Sequence, residues 1–412
     1  MAVDIATLRR AHGLLAEGRA AEAEAICAAA LGAAAAPHLE RLRFLVARAQ
    51  DPAAATEIAA LDAALDAMNR ELGRNPLYAA SEFWTFWGTY HAALLRTYGM
   101  DNFKRTVAHN YQNWLITSLN DPQLRAMLSN WPRHGSAEPL LTAIETPSHV
   151  GYHHSRSFED PEYALAFPEA RAMYRLAVGL IWEYVRMGDQ PGLLDRLEEP
   201  AIGGPIRIER RGRLISSDLA HSVRERNLLL ATCGLKGDEG LCVGELGAGH
   251  GRLADLFGRS TNYRYVIFDI APALYVSQWY VTRLFPDAKI FAFRPFASFA
   301  DVAEEVAASR FAFFTANQIE AFPDGYFDCF INMNSLMEMR REQILNFIGH
   351  IDRLTRTAFL SRQWLTWRNE WDKITIGRGD FVLGDRWRLA LDAVDEIYPA
   401  FFNHVWIRNR SR

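Results

Sequence analysis

The sequence predicts an α/β protein in which a largely α-helical N-terminal region precedes a mostly parallel β-sheet. From about residue 240 onward, apolar segments of strand length alternate with segments of helical periodicity, a pattern typical of parallel strands joined by helices. Glycines cluster at the first strand-to-helix junction of this half, where an α/β sheet binds its ligand. The first 200 residues instead show apolar and aromatic side chains at helical spacing.

The composition is that of an ordinary globular protein. The 412 residues are 50% hydrophobic and 23% charged, and the net charge of −4 gives no reason to expect a nucleic-acid partner. The N-terminus lacks the basic-then-apolar order of a signal peptide, and no stretch reaches 18 uncharged apolar residues. We therefore expect a cytoplasmic protein without a membrane segment. The cysteines are far apart in the sequence, which predicts reduced thiols: Cys27, Cys233, Cys242 and Cys329.

The N-terminal half divides into two helical regions. Residues 1–75 are rich in alanine and are predicted to form a helical hairpin joined at Gly18, which resembles a single tetratricopeptide-like unit at most. Residues 76–200 are rich in aromatic side chains and are predicted to form a helical domain that offers an acceptor-binding platform or a homodimer surface. Two sets of side chains recur there at helical spacing: Phe83, Trp87 and Tyr90, and Val107, Tyr111 and Trp114.

Residues 201–238 link the two halves. The segment 206–216 is predicted to be a β-hairpin that turns at Gly212. A helix is predicted from about residue 219 to residue 232, with Asp218 or Ser217 as its N-cap.

Residues 239–412 carry the predicted sheet. Four helices are expected between its strands. The first starts at 251, and the others span 273–285, 299–309 and 341–355. The expected strands are 241–246, 263–270, 288–293, 311–316, 326–333, 356–364, 379–387 and 401–409.

The glycine-rich junction is the motif that indicates a cofactor. It has the pattern Glu245-x-Gly247-x-Gly249-x-Gly251 between a strand and a helix. A dinucleotide loop needs a third small residue where this chain has Arg252, and an acid at position 245 would repel a pyrophosphate. An acid followed by three alternating glycines instead fits S-adenosyl-L-methionine (SAM), whose methionyl ammonium can be bound near that acid, usually through water.

A second acid follows at the end of the next strand. Asp269 lies 18 residues after Gly251, where a carboxylate can accept hydrogen bonds from both hydroxyls of a ribose. SAM is therefore the predicted cofactor. The residues expected to bind it are Glu245, Gly247, Ala248, Gly249, Gly251, Arg252, Asp269, Ile270 and Asn332.

Several stretches resemble the sugar O-methyltransferases that occur in bacterial glycan and natural-product gene sets. The resemblance runs from about residue 80 to the C-terminus and rests on residues 103–114, 203–222, 244–253, 268–275 and 331–339. It implies the Rossmann-like sheet of class I SAM methyltransferases, with a last antiparallel strand at 401–409. It also implies SAM as methyl donor and, as acceptor, a hydroxyl of a sugar or glycosylated metabolite.

A sugar hydroxyl is a weak nucleophile, so a base is expected to take its proton. Glu338 is the first candidate because it follows the strand 326–333, whose carboxyl end would face the reacting methyl. His221, Asp218 and His250 are the other candidates. The acceptor is expected to contact Asn334, Ser335, Arg362 and Trp364, with Arg362 as partner for an anionic acceptor such as a nucleotide-sugar.

No metal ion is predicted. Asp324 and Asp328 lie near the expected strand 326–333, but at the end away from the cofactor loop. His153 and His154 are adjacent, so their side chains point in different directions on a helix or strand.

Two other functions fit the same motifs. The first is a SAM methyltransferase for a non-sugar acceptor, such as a polyketide, a phenol, an amine or a protein side chain. The second is an interaction module that binds SAM without turnover, since the glycine loop and its acids predict binding and not chemistry. Substitution of Glu338 or His221 distinguishes the enzyme from the interaction module. In an enzyme, it should abolish turnover and leave SAM affinity unchanged.

Overall fold

The computed structural model describes residues 5–32, 35–107, 122–131 and 168–409. The expected helical set that includes Tyr111 and Trp114, and the pair His153 and His154, lie outside the described residues. Within the described residues, no helix has the length and apolar character needed to cross a membrane.

The N-terminal half is helical, as predicted. Helices α1 and α2 meet at Gly18, which has a positive φ of 77°. Asp51 begins α4 by accepting a hydrogen bond from the backbone N–H of Ala53. The helices are α1 (Ile5–Ala16), α2 (Ala20–Leu31), α3 (Ala35–Gln50), α4 (Pro52–Leu72), α5 (Glu82–Tyr98), α6 (Phe103–Thr106), α7 (Pro122–Asn130) and α8 (Pro168–Gly188).

The linking segment forms the predicted hairpin and helix. Strands β1 (Glu209–Arg210) and β2 (Arg213–Leu214) pair around a turn at Gly212, and helix α9 (Ser217–Cys233) follows. The predicted cap was wrong by one or two residues. Ser216 is the N-cap because its backbone is extended and its hydroxyl accepts a hydrogen bond from the Leu219 N–H at 3.0 Å. Asp218 is instead buried in the first turn of α9.

The C-terminal half is built on an eight-stranded sheet with the order β11-β12-β8-β7-β3-β4-β6-β5. Strands β3 to β8 pair in parallel, whereas β12 is antiparallel to β8 and to β11. The strands are β3 (Cys242–Leu246), β4 (Arg264–Asp269), β5 (Ile290–Phe291), β6 (Phe311–Thr315), β7 (Phe327–Met333), β8 (Thr355–Trp364), β9 (Thr366–Asn369), β10 (Ile374–Gly377), β11 (Trp387–Val394) and β12 (Phe401–Arg408).

Helices join these strands, and both faces of the sheet are buried. Along β4, Val266 and Phe268 enter one core cluster, whereas Tyr265 and Ile267 enter the other. The mostly parallel sheet with an antiparallel last strand, preceded by a helical region, confirms the predicted fold class. The joining helices are α10 (Arg252–Ser260), α11 (Ala273–Leu284), α12 (Ala303–Ala308) and α13 (Arg341–Leu354).

The region between β8 and β12 differs from the prediction. The expected strand 379–387 is an irregular segment, and β11 begins only at Trp387. Phe381 and Leu383 are nonetheless buried, so their apolar character resembled that of a strand. A small hairpin, β9–β10, also follows β8 and was not predicted.

Candidate active site

The carboxyl ends of β3, β4 and β7 open into a cleft with about 1200 Å³ of empty space, a figure that includes open solvent. The beginning of α5 covers one side of the cleft, so both halves of the chain contribute to it. The residues that line it include Tyr78, Ser81, Trp84, Glu245, Gly247, Ala248, Gly249, Arg252, Asp269, Ile270, Asn334, Ser335 and Glu338.

The glycine loop turns sharply between β3 and α10. Gly247, Gly249 and Gly251 have φ values of 72°, 59° and 85°, a region that favours glycine. A Cβ atom on Gly247 would lie 2.1 Å from the Oγ of Ser335, since the segment after β7 packs directly on the loop. The loop therefore exposes backbone to the cleft where a side chain would not fit.

Asp269 closes the loop from the end of β4. Its Oδ2 accepts a hydrogen bond from the Gly249 N–H at 3.0 Å, and its Oδ1 accepts one from the Ile270 N–H at 2.7 Å. Burial raises the pKa of this carboxyl to about 7, against the effect of these amide bonds. The carboxyl group both shapes the loop and lines the cleft.

Glu245 lies on β3 beside the loop and is 2% exposed. The Tyr265 hydroxyl donates to its Oε2 at 2.8 Å. Burial raises the pKa of Glu245 to about 8, although Tyr265 and the nearby Arg252 guanidinium act in the opposite direction. Arg252 is itself paired with Glu225 of α9 at 2.5 Å.

Glu338 lines the cleft from the segment that follows β7. The Trp84 indole N–H donates to its Oε2 at 3.1 Å, and the Ser81 hydroxyl donates to its backbone carbonyl at 3.0 Å. The pKa of Glu338 is raised to about 8, mainly by burial and to a smaller extent by the nearby Asp269 carboxyl, whereas the Trp84 bond lowers it. Glu338 is the lining carboxyl group that α5 contacts directly.

The other residues at the carboxyl end of β7 and just after it divide between the surface and the underside of the cleft. Asn334, at a φ of 62°, and Ser335 line it. Asn332 is fully buried beneath it, where its Nδ2 donates to the Leu246 carbonyl at 2.8 Å and its Oδ1 accepts from Gln363 at 2.6 Å. Asn332 therefore supports the end of β3 and does not face the expected cofactor.

Several expected site residues lie outside the cleft lining. His221 is buried and hydrogen-bonded to the Tyr398 hydroxyl at 2.8 Å. Burial and the Arg362 charge hold its pKa well below the usual value. His250 is also buried, with Phe103 and Tyr280 against its ring.

Arg362 and Trp364 also differ from the expected acceptor contacts. Arg362 is 3% exposed, and its guanidinium lies 3.6 Å from Glu225 and 3.4 Å from Asp395. Its charge is therefore neutralised inside the protein and does not face the cleft. Trp364 packs on Phe401 with ring centroids 4.3 Å apart.

Tyr78, Ser81 and Trp84 line the cleft and were not predicted as site residues. Ser81 caps α5 by accepting a hydrogen bond from the Trp84 N–H at 3.3 Å. A serine ahead of a helical segment is the sequence signal for such a cap, but it does not say which part of the fold the helix covers.

Metal ligation has no support among the described residues, which contain no group of three or more His, Cys, Asp or Glu side chains placed to hold an ion. Asp328 accepts a hydrogen bond from the Cys242 N–H at the amino ends of the strands, and Asp324 pairs with Arg353.

No protein-family model matches the chain, and no curated protein sequence is similar to it. Solved methyltransferase structures are similar to less than half of it. The magnesium protoporphyrin IX methyltransferase of Synechocystis, with bound SAM, is 15% identical over 47% of this chain and 82% of its own, with a TM-score of 0.31. A Burkholderia thailandensis 1,6-didemethyltoxoflavin-N1-methyltransferase is 14% identical over 47% of this chain and 80% of its own, with a TM-score of 0.32. A SAM-dependent methyltransferase of Aquifex aeolicus is 12% identical over 45% of this chain and 89% of its own, with a TM-score of 0.29.

Proposed function

We propose that this protein is a SAM-dependent methyltransferase. The observation that carries the proposal is the pair of acids, Glu245 and Asp269, on either side of a glycine loop at the carboxyl ends of adjacent parallel strands. A carboxylate beside the loop suits an ammonium group, and a carboxylate at the end of β4 suits two ribose hydroxyls. Glu245, beside the loop, would repel the pyrophosphate of a dinucleotide, whereas Asp269 suits the ribose of either cofactor.

The residues of the cleft suit an in-line methyl transfer. SAM supplies an electrophilic methyl group on a sulfonium ion. The glycine loop and Asp269 bind and orient the donor, and orientation accounts for a large part of the rate of such a displacement. Glu338 is the proposed general base because it is the lining carboxyl group that is not assigned to the donor, whereas His221 and His250 do not line the cleft.

The proposed acceptor is a hydroxyl of a sugar or glycosylated metabolite. The partly exposed Trp84 ring lines the cleft and offers an apolar face on which the C–H groups of a sugar can pack, whereas Tyr78 is buried against Phe347. Asn334 and Ser335 provide polar groups in the same lining. This mixture of surfaces, together with the resemblance of residues 331–339 to sugar O-methyltransferases, supports transfer to oxygen.

Calorimetric titration with SAM and, separately, with NADH tests the cofactor. We expect SAM to bind and NADH not to bind. The substitution Asp269→Asn should weaken SAM binding about tenfold or more, since it removes a charge-assisted acceptor. The exposed Asp287→Asn is the matched control and should leave the affinity unchanged. NADH binding in the absence of SAM binding would overturn the proposal.

Methyl transfer from isotopically labelled SAM to a panel of glycosides tests the reaction. Glu338→Gln should retain SAM affinity and lose turnover, because the amide cannot accept the acceptor's proton. A protein that binds SAM and transfers methyl only to non-sugar acceptors would disprove the sugar assignment while retaining the enzyme. Full activity of Glu338→Gln would rule out Glu338 as the base.

A further inference from the structure

Helix α5 of the N-terminal half holds Glu338 by two hydrogen bonds. The Trp84 indole N–H contacts Oε2 of the carboxylate, and the Ser81 hydroxyl contacts the backbone carbonyl of the same residue. Among the described residues, no other group donates a hydrogen bond to this carboxylate. The orientation of the carboxylate therefore depends on a residue far from it in the sequence.

The first turn of α5 is itself fixed in place. The Asp372 carboxylate accepts hydrogen bonds from the Glu82 N–H at 3.0 Å and the Phe83 N–H at 3.4 Å. An anion at a helix N-terminus is stabilised both by these amides and by the helix dipole. The Phe83 ring packs edge-on against Trp371 at 5.3 Å between centroids. Trp84 is thus presented from a helix end that the hairpin β9–β10 holds.

We propose that Trp84 is a positioning residue for the reaction. Its indole N–H fixes Oε2 of Glu338 and leaves Oε1 directed to the acceptor hydroxyl. This inference rests on the proposed function. In the step, the acceptor O–H bond breaks and its proton passes to Oε1, while the oxygen lone pair forms the new O–CH₃ bond. The C–S bond of SAM breaks with its electron pair remaining on sulfur, and Glu338 later returns the proton to water.

The hydrogen bond also favours the ionised carboxylate, because a donor stabilises the charged form. The titratable side chains that line the cleft around Glu338 are Tyr78, Glu245, Arg252 and Asp269. Of these, only Asp269 contributes to the shift in the pKa of Glu338, which it raises. Trp84 therefore provides the hydrogen bond that opposes burial at this carboxyl group.

Nuclear magnetic resonance of protein labelled with 15N in its tryptophan indoles tests the contact without any acceptor. The Trp84 resonance, assigned by its loss in Trp84→Phe, should shift with pH as Glu338 titrates, with a midpoint near 8. In Glu338→Gln the same resonance should not shift over this range. A Trp84 resonance that is independent of pH in the unmodified protein would overturn the proposal.

Kinetics then test the role. Trp84→Phe keeps an aromatic ring and removes the indole N–H. The acid limb of the kcat/KM profile should therefore move up by roughly one pH unit, and kcat/KM at pH 7 should fall about tenfold. SAM affinity should be unchanged. Trp279→Phe is the control, because Trp279 does not line the cleft and packs instead on Phe103 and Arg283, and it should leave the pH profile unchanged.

The outcomes separate this inference from the proposed function. Absence of SAM binding would overturn the methyltransferase proposal, and the indole titration would still decide whether Trp84 senses Glu338. Normal SAM binding with an identical pH profile in Trp84→Phe would overturn the positioning role alone. A change in Trp84→Phe confined to a higher KM for the acceptor, with kcat and its pH profile unchanged, would also count against it, since Trp84 would then act by contacting the acceptor and not through Glu338.

Discussion

Three carboxyl groups, Glu245, Asp269 and Glu338, line the cleft with raised pKa values of about 8, 7 and 8. Burial is the main cause in each case. In the ligand-free protein, these groups stabilise the fold below their unfolded pKa values, and that contribution is lost as the pH rises through the folded values. A cationic ligand has the opposite preference, because it binds the ionised carboxylates.

SAM binding should therefore release protons. Its affinity should rise between about pH 6 and pH 8 and then level off, as Glu245 and Asp269 ionise. Calorimetry in two buffers with different ionisation enthalpies measures the protons released. Glu245→Gln should reduce both the release and the pH dependence. An affinity that falls over this pH range would contradict the assignment of these acids to the cofactor.

Gly247 should be intolerant of any side chain. Gly247→Ala places a Cβ against Ser335 at a φ of 72°, whereas the control Gly240→Ala has a similar φ of 68° and nothing within 4 Å. Both should lose about 1 kcal/mol of unfolding free energy for the left-handed backbone. Gly247→Ala should lose about 1–3 kcal/mol more because of the clash. Urea unfolding measures the difference. Equal losses in the two variants would show that Ser335 moves away from the new Cβ atom without a cost in free energy.

At the level of elements, α5 depends on an acid from the other half of the chain. Asp372→Ala should lower the unfolding free energy by about 1 kcal/mol, since two amide groups lose their acceptor. Hydrogen exchange should become faster at the amides of Glu82 and Phe83. The control Asp51→Ala removes a comparable bond to the Ala53 N–H at the start of α4. Asp51→Ala should leave hydrogen exchange in α5 unchanged. Equal effects of the two substitutions on this exchange would contradict the dependence of α5 on Asp372.

Most strands could be predicted from the sequence because they are short apolar runs that are buried on both faces. Strands β4 and β7 are examples, since their residues enter the cores on both sides of the sheet. The edge strand β11 could not be predicted in the same way, because Trp387 is its one buried residue and its exposure does not alternate along the strand. The irregular segment before it resembles a strand because Phe381 and Leu383 alternate with exposed neighbours.

For the molecule as a whole, the part of the cleft built on the sheet could be predicted, and the part contributed by the N-terminal half could not. Glu245, Gly247 and Asp269 form a motif whose parts are close in sequence, so spacing alone reveals it. The contact between Trp84 and Glu338 joins residues 254 positions apart and follows only from the packing of α5 on the sheet. Arg362 is a second example, because its buried partners Glu225 and Asp395 are also distant in sequence.

The charge of the assembled cleft predicts the charge of the acceptor. Its lining, as far as the structure describes it, has three carboxyl groups, and its guanidinium, on Arg252, already pairs with Glu225. SAM can bind Glu245 through its ammonium group and Asp269 through its ribose hydroxyls. Glu338 then remains beside the acceptor. A phosphate group there would be repelled in a site of low dielectric constant. A neutral glycoside should therefore be methylated with a kcat/KM at least about tenfold higher than that of its phosphate ester, and the difference should shrink as added salt screens the repulsion. Assays of such a matched pair at two ionic strengths decide the point, because a preference for the phosphorylated acceptor would require a cationic contact that the described lining does not provide.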